Sequence, residues 1–166
     1  MTREFFGDAH NKVDAKGRVS IPASYRRVLQ AGDPEWKEGL NPNLVIVYGD
    51  KSRNYLECFT MEAIAEVQAK IRKKPRGSKQ RRALQRLYNG NAYPTSVDET
   101  GRLVLPKKLI EKIGLDGVAY FIANGDTFEI WNPETYEQEE YGDLEADDDF
   151  DPNADPSIYL DGDEEE

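Results

Sequence analysis

The chain has a single cysteine, Cys58, and a single histidine, His10. One thiol cannot build an internal disulfide framework, and it fits a reducing compartment. Neither residue has a partner at metal-ligand spacing, which argues against a metal site. No apolar run approaches the ~20 residues needed to span a bilayer. The opening Met1-Thr2-Arg3-Glu4-Phe5 lacks the apolar core of a secretory signal. These absences predict a cytosolic protein with no membrane partner. Asp14 and Asp98 invite an acid–base pair, but no nucleophile or phosphate-cradling loop accompanies them. An enzyme reading therefore has little behind it, and neither a cofactor nor a small-molecule substrate is expected.

A further absence is regional. From residue 133 to 166 there is no lysine or arginine, while 16 of the 32 acidic residues lie there. Residues 1–132 then hold 16 acids against all 22 basic residues, a net of +6 inside a chain whose total is −10. The total alone would argue against a nucleic-acid partner. Its segregation into a basic body and an acidic end argues for one. Residues 133–166 also lack the apolar content that offsets ordering entropy, so they are expected to be mostly disordered. Their plain role is solubilising; a sharper one is competition with DNA for the basic body.

What is present is a duplication. Asp14-Ala15-Lys16-Gly17-Arg18-Val19-Ser20-Ile21-Pro22 returns as Asp98-Glu99-Thr100-Gly101-Arg102-Leu103-Val104-Leu105-Pro106. Both copies read Asp-x-x-Gly-Arg, then an apolar–x–apolar pair, then Pro. Asp suits the first position of a tight turn, and Gly the last, where a positive φ is often needed. Alternation along the strand that follows puts Val19 and Ile21 on one face and Arg18 and Ser20 on the other. Leu103 and Leu105 against Arg102 and Val104 repeat the scheme. Each copy thus holds a guanidinium at a hairpin mouth while the strand behind it anchors in a core.

Around these motifs the elements also repeat. The first module reads as a strand or arm over 5–13, a strand over 18–21 and a helix over 23–30. Strands over 44–48 and 55–59 complete it. The second reads as a strand over 92–97, a strand over 102–105, a helix over 106–113 stopped by Gly114, and strands over 118–123 and 127–131. The turns are 84 positions apart, whereas Gly49 and Gly125 are 76 apart, so the first module carries extra loop residues. The division is a first module over 5–59, a connector over 60–90, a second module over 91–132 and the acidic end over 133–166. At 166 residues neither module has enough core to stand alone comfortably. The two are predicted to interleave into one barrel-like body, mainly β with helices (α+β).

Three features allow more than one reading. Arg18 and Arg102 could pair with Asp14 and Asp98 as structural ion pairs, or could meet DNA. Both can hold together where the Asp orients the Arg toward phosphate or a guanine edge. Lys12 and Lys16 beside Arg18 would add phosphate contacts, and the second motif has no lysine beside it, so the first hairpin should be the more electropositive. The connector, with helices over 60–74 and 78–89, holds nine basic residues from Lys70 to Arg86. It reads first as a solvated helix pair, then as an intersubunit surface, and third as a DNA contact. Glu57 and Glu129 occupy matching strand positions, which suggests a structural or interface role.

The paired Asp-x-x-Gly-Arg…Pro modules resemble two SpoVT-AbrB domains. Their tandem order, the opening Phe6-Gly7 and the run Gln80-Arg81-Arg82-Ala83-Leu84-Gln85-Arg86-Leu87 before Gly90 resemble the MraZ family of bacterial transcriptional regulators. The resemblance covers roughly residues 5–132, and the long acidic end departs from it. It implies an intramolecular pair of swapped-hairpin modules, assembly into ring-like homo-oligomers and residence in cytoplasm and nucleoid. It also implies binding to repeated boxes of double-stranded DNA upstream of the family's own division and cell-wall gene cluster, usually as a repressor. The family's Asp-x-x-x-Arg motif falls on Asp14 and Arg18, and again on Asp98 and Arg102. The rival reading is a protein-interaction module of antitoxin-like type.

Overall fold

The two copies exchange their first strands. A computed structural model describes residues 3–139, 150–151 and 153–160. The first module is β1 (Asp8–Lys12), β2 (Arg18–Ser20), α1 (Ala23–Ala31), β3 (Asn43–Val47) and β4 (Tyr55–Thr60). The second is β5 (Ala92–Ser96), β6 (Arg102–Val104), α4 (Lys107–Ile113), β7 (Val118–Asn124) and β8 (Thr127–Trp131). Between them lie α2 (Met61–Arg72), α3 (Lys79–Gln85) and a π-helical turn (Arg86–Gly90).

Six strands pair antiparallel in the order β1-β7-β8-β4-β3-β5, and β2 pairs with β6 in a separate ribbon. Thus β1 of the first module lies on β7 of the second, and β5 of the second lies on β3 of the first. The halves meet at β4 and β8, where Glu57 stands opposite Glu129. The body is a six-stranded sheet and a two-stranded ribbon around one core, and the six-stranded ladder has open ends at β1 and β5.

That core explains the exchange. Val19, Ile21, Leu103 and Leu105 enter it from the ribbon, Leu44, Ile46, Leu56, Phe121, Phe128 and Ile130 from the sheet. Tyr25 and Leu29 of α1 and Leu109 and Ile113 of α4 close it. Each such side chain contributes about 1.5–3 kcal/mol by leaving water. A single module of this size buries only a small core, and interleaving pools both sets. The Tyr25 hydroxyl donates to the Gly7 carbonyl at 2.6 Å, and burial pushes its pKa up to about 12. Phe5 is buried edge-on against Tyr25 and Phe128, so the predicted strand over 5–13 is an anchored arm followed by a shorter strand.

Local chemistry sets the helix ends. Pro22 and Pro106 precede α1 and α4, and Gly114 stops α4 at φ 69° in the left-handed region. The Thr60 hydroxyl accepts from the Ala63 N–H at 2.9 Å and opens α2. Ser78 Oγ accepts from the Arg81 N–H at 3.1 Å and opens α3. α2 seats Ala63 and Ile64 against Val47 and Phe59, forming a second small core on the far side of the sheet. Arg81 is buried, with its Nη1 donating to the Lys74 carbonyl at 3.0 Å, so this one connector cation staples its own helix pair.

Beyond the first unit, α5 (Pro133–Glu139) and a short 3-10 turn (Pro156–Tyr159) are formed, neither anticipated from composition. The Asp155 carboxylate accepts from the Ser157 N–H at 3.0 Å and opens that turn. For half of its residues, 140–149, 152 and 161–166, the expectation of disorder falls outside the described ones.

Candidate nucleic-acid interface

Each Asp-x-x-Gly-Arg loop is built by its aspartate. Asp14 Oδ1 accepts from the backbone N–H of Lys16 and of Arg18, both at 2.9 Å. The Gly17 N–H donates to the Asp14 carbonyl at 3.0 Å, and Gly17 takes φ 83°. Asp98 repeats this with the N–H groups of Thr100 and Arg102 at 2.9 Å, and Gly101 also takes φ 83°. With Oδ1 tying the turn, Oδ2 is left for the arginine. It accepts from Arg18 Nε at 2.7 Å in the first loop and from Arg102 Nε at 3.3 Å in the second.

The ion pair and the presented guanidinium are therefore one arrangement. Only Nε is engaged in the described contacts, which leaves both terminal nitrogens for a planar acceptor such as a phosphate or a guanine edge. The carboxylates stay charged. The Arg18 N–H chiefly holds Asp14 below its ordinary range, and the Arg102 N–H, with help from Thr100, holds Asp98 down to about 2. Acids this strong are poor proton shuttles near neutrality, so the two aspartates act as orienters.

Pairing of β2 with β6 then brings both arginines onto one surface. Val19 faces Leu103 inward, while Arg18 lies across from Val104 and Ser20 across from Arg102 on the outward face. The arginines are diagonal neighbours, roughly 7–8 Å apart at the backbone. Each loop is also braced by the other module. The Leu105 N–H donates to the Gly17 carbonyl at 2.8 Å, and the Ile21 N–H to the Gly101 carbonyl at 3.0 Å.

Lys12 closes β1 and Lys16 sits in the first loop, both exposed. Their counterparts in the repeat are Ser96 and Thr100. One cation escaped the sequence reading. Arg26 of α1 belongs by chain order to the first module, yet its Nη2 donates to the Glu99 carbonyl at 3.4 Å and its Nη1 faces Gly101. The antiparallel ribbon sets the end of β2 beside the start of β6, which carries α1 to the second loop. Its counterpart beneath the first loop is Ile110, packed under Gly17. Only the pairing of β2 with β6 could have signalled this, and single-module reasoning does not contain it.

Other candidates are absorbed by structure. Burial raises the carboxyls of Glu57 and Glu129, and Trp131 Nε1 donates to Glu129 Oε1 at 2.8 Å while Arg53 approaches Glu57 at 3.5 Å. The His10 ring lies tilted against Tyr120 at 4.7 Å, and Cys58 is fully buried, which pushes its thiol up. Among the described residues, no group of three or more His, Cys, Asp or Glu side chains is placed to hold a metal. No described helix is long and apolar enough to cross a membrane.

Strand exchange between two like modules, with paired Asp–Arg loops on a shared ribbon, defines an internally duplicated swapped-hairpin protein. Comparison with known proteins narrows that class. Residues 89–152 match a family described as "MraZ protein, putative antitoxin-like". The Transcriptional regulator MraZ of Ruegeria pomeroyi is 62% identical over 163 residues, covering 98% of either chain. That of another Ruegeria species is 61% identical over the same share, and that of Cereibacter sphaeroides 41% identical over 146 residues, 84% of this chain and 86% of its own. The chain belongs to the MraZ family.

Proposed function

We propose that the protein is a sequence-specific DNA-binding transcriptional regulator. It binds repeated boxes upstream of its own division and cell-wall gene cluster as a ring-like homo-oligomer, and represses that cluster. It acts in the cytoplasm and nucleoid and performs no enzymatic step. The observation that carries this reading is the shared ribbon, which presents two guanidinium groups, each aligned by an aspartate held below its ordinary pKa, on one outward face. The names of the relatives and the +6 charge of residues 1–132 support it.

One ribbon makes too few contacts for strong selective binding. An assembly presenting several ribbons to spaced boxes gains ~10²–10⁴ in avidity where the spacing fits. Phosphate contacts from Lys12 and Lys16 set register, and Arg18 and Arg102 read the groove. The test is a gel shift on the protein's own upstream region. Arg18→Ala should abolish specific binding with fold and assembly intact, and Arg102→Ala should weaken it less. Operator binding by Arg18→Ala at wild-type strength would refute the site assignment.

The family description favours a second reading, an antitoxin-like module whose ribbon serves a protein partner. Repeated short motifs upstream of the gene are expected under the first reading and not under the second.

A further inference from the structure

Two outward positions of the ribbon remain without a role, Ser20 and Val104. By register each lies directly across from the arginine of the opposite module, Val104 from Arg18 and Ser20 from Arg102. They are counterparts in the duplication, so the fold offers the same place to an isopropyl group on one side and a hydroxyl on the other. Val104 is 47% exposed, and among the described residues it is the one exposed large apolar side chain that lies in a β-strand. Isolated apolar residues on surfaces are common. This one sits beside a guanidinium, where water is held well and an uncovered isopropyl group gains nothing.

We propose that Val104 is a specificity-determining residue that contacts the C5 methyl of a thymine next to the base read by Arg18, while Ser20 gives the Arg102 half a different preference. The inference rests on the DNA-binding reading above. A two-stranded ribbon fits the major groove, about 12 Å wide, where thymine alone of the four bases displays a methyl group. Side chains directly opposite on paired strands are about 4.5–5.5 Å apart, and base pairs are stacked about 3.4 Å apart. Arg18 and Val104 therefore reach the same or adjacent base pairs, one taking a hydrogen-bonding edge and the other an apolar one. The Arg102 half, with Ser20 across from it, offers the same fork but no apolar contact. The duplicated protein thus reads its box asymmetrically, which gives each ribbon a direction on DNA.

The experiment uses the full-length protein and a fragment of its own upstream region on which Arg18-dependent binding occurs. Thymines in one box are replaced singly by uracil, which removes only the methyl group. Wild-type protein should lose roughly fourfold in affinity at one position, the worth of one buried methyl. Val104→Ser should bind the thymine fragment less tightly and be indifferent to uracil at that position. Serine is tolerated on this face at position 20, and a thermal melt checks that the variant is folded. Ser20→Val should create a second uracil-sensitive position on the Arg102 side. Arg18-dependent binding with no uracil effect anywhere, or an undiminished uracil effect in Val104→Ser, would overturn the role of Val104 and leave the regulator reading standing. Absence of Arg18-dependent binding on every upstream fragment would overturn both.

Discussion

The first and second arginine loops share one backbone and one kind of brace from the opposite module, and differ in the side chains around them. Both have the Asp-built turn, a glycine at φ 83° and a bond from Arg Nε to Asp Oδ2. Around the first stand Lys12 and Lys16, with Ile110 packed beneath. Around the second stand Arg26 and the acidic Glu99, with Thr100 bonded to Asp98 at 2.8 Å. Duplication fixed the placement of the guanidinium and left its setting free to diverge. The lesson is that a repeated motif predicts shared geometry and says little about shared energetics.

The largest expected contrast lies in the glycines. At Gly17 a Cβ would collide with the backbone oxygen of Leu105, whereas at Gly101 it would meet only the flexible end of Arg26 at 3.5 Å. Both alanine variants carry the ~1–2 kcal/mol strain of a left-handed conformation. Gly17→Ala must also displace the Leu105 strand end and lose a bond worth ~1 kcal/mol. Urea unfolding should show Gly17→Ala destabilised by about 3 kcal/mol and Gly101→Ala by about half that. Equal losses would mean that the first loop is not pinned to the opposite module.

Most of the fold was legible because its signals are local. Alternation at Val19, Ile21, Leu103 and Leu105, the Thr60 cap and the Gly114 stop each need only near neighbours. Strand ends moved by at most one residue, except that β1 begins three residues late, and the helix predicted through residue 89 widens into a π-helical turn, where the Asn91 N–H reaches back to the Arg86 carbonyl at 2.8 Å. The aspartate and arginine of each loop were legible for the same reason. Arg26 was not, because its neighbour Glu99 is 73 residues away and is reached only through the ribbon. The cross-strand partners Val104 and Ser20 were hidden likewise, since register between β2 and β6 is a property of the folded pair.

A smaller contrast concerns charge. If Lys12 and Lys16 each neutralise one phosphate, Lys12→Ala with Lys16→Ala should make the slope of log affinity against log salt shallower by about 2. The second loop can sharpen the comparison by gain. Thr100→Lys places a cation where the first loop has Lys16, and should steepen the slope by about 1. Titrations of wild type and both variants on one operator fragment check this. Identical slopes would place the lysines away from the phosphates.

The smallest contrast is in the aspartates, and its sign follows from their ionisation. Asp98 in the folded protein titrates at about 2, below the 3.8 of a free side chain. Its stabilising effect is therefore complete above about pH 4 and is lost as pH falls toward 2. Asparagine at 98 keeps an oxygen for the turn but has no charge for Arg102, so Asp98→Asn should lower stability at pH 7, with the gap closing toward pH 2. Asp14 is also lowered, but its side chain is 41% exposed against 28% for Asp98, and no hydroxyl supports it. Solvent screens the more open pair more strongly. The gap for Asp14→Asn should then be smaller at pH 7 and narrow as pH falls below the ordinary carboxylate range. Urea midpoints at pH 7, 4 and 2.5 measure both gaps. A larger gap for Asp14→Asn would show that the shorter Arg18 bond outweighs exposure, and that the first loop is the more tightly organised of the two as well as the more positive.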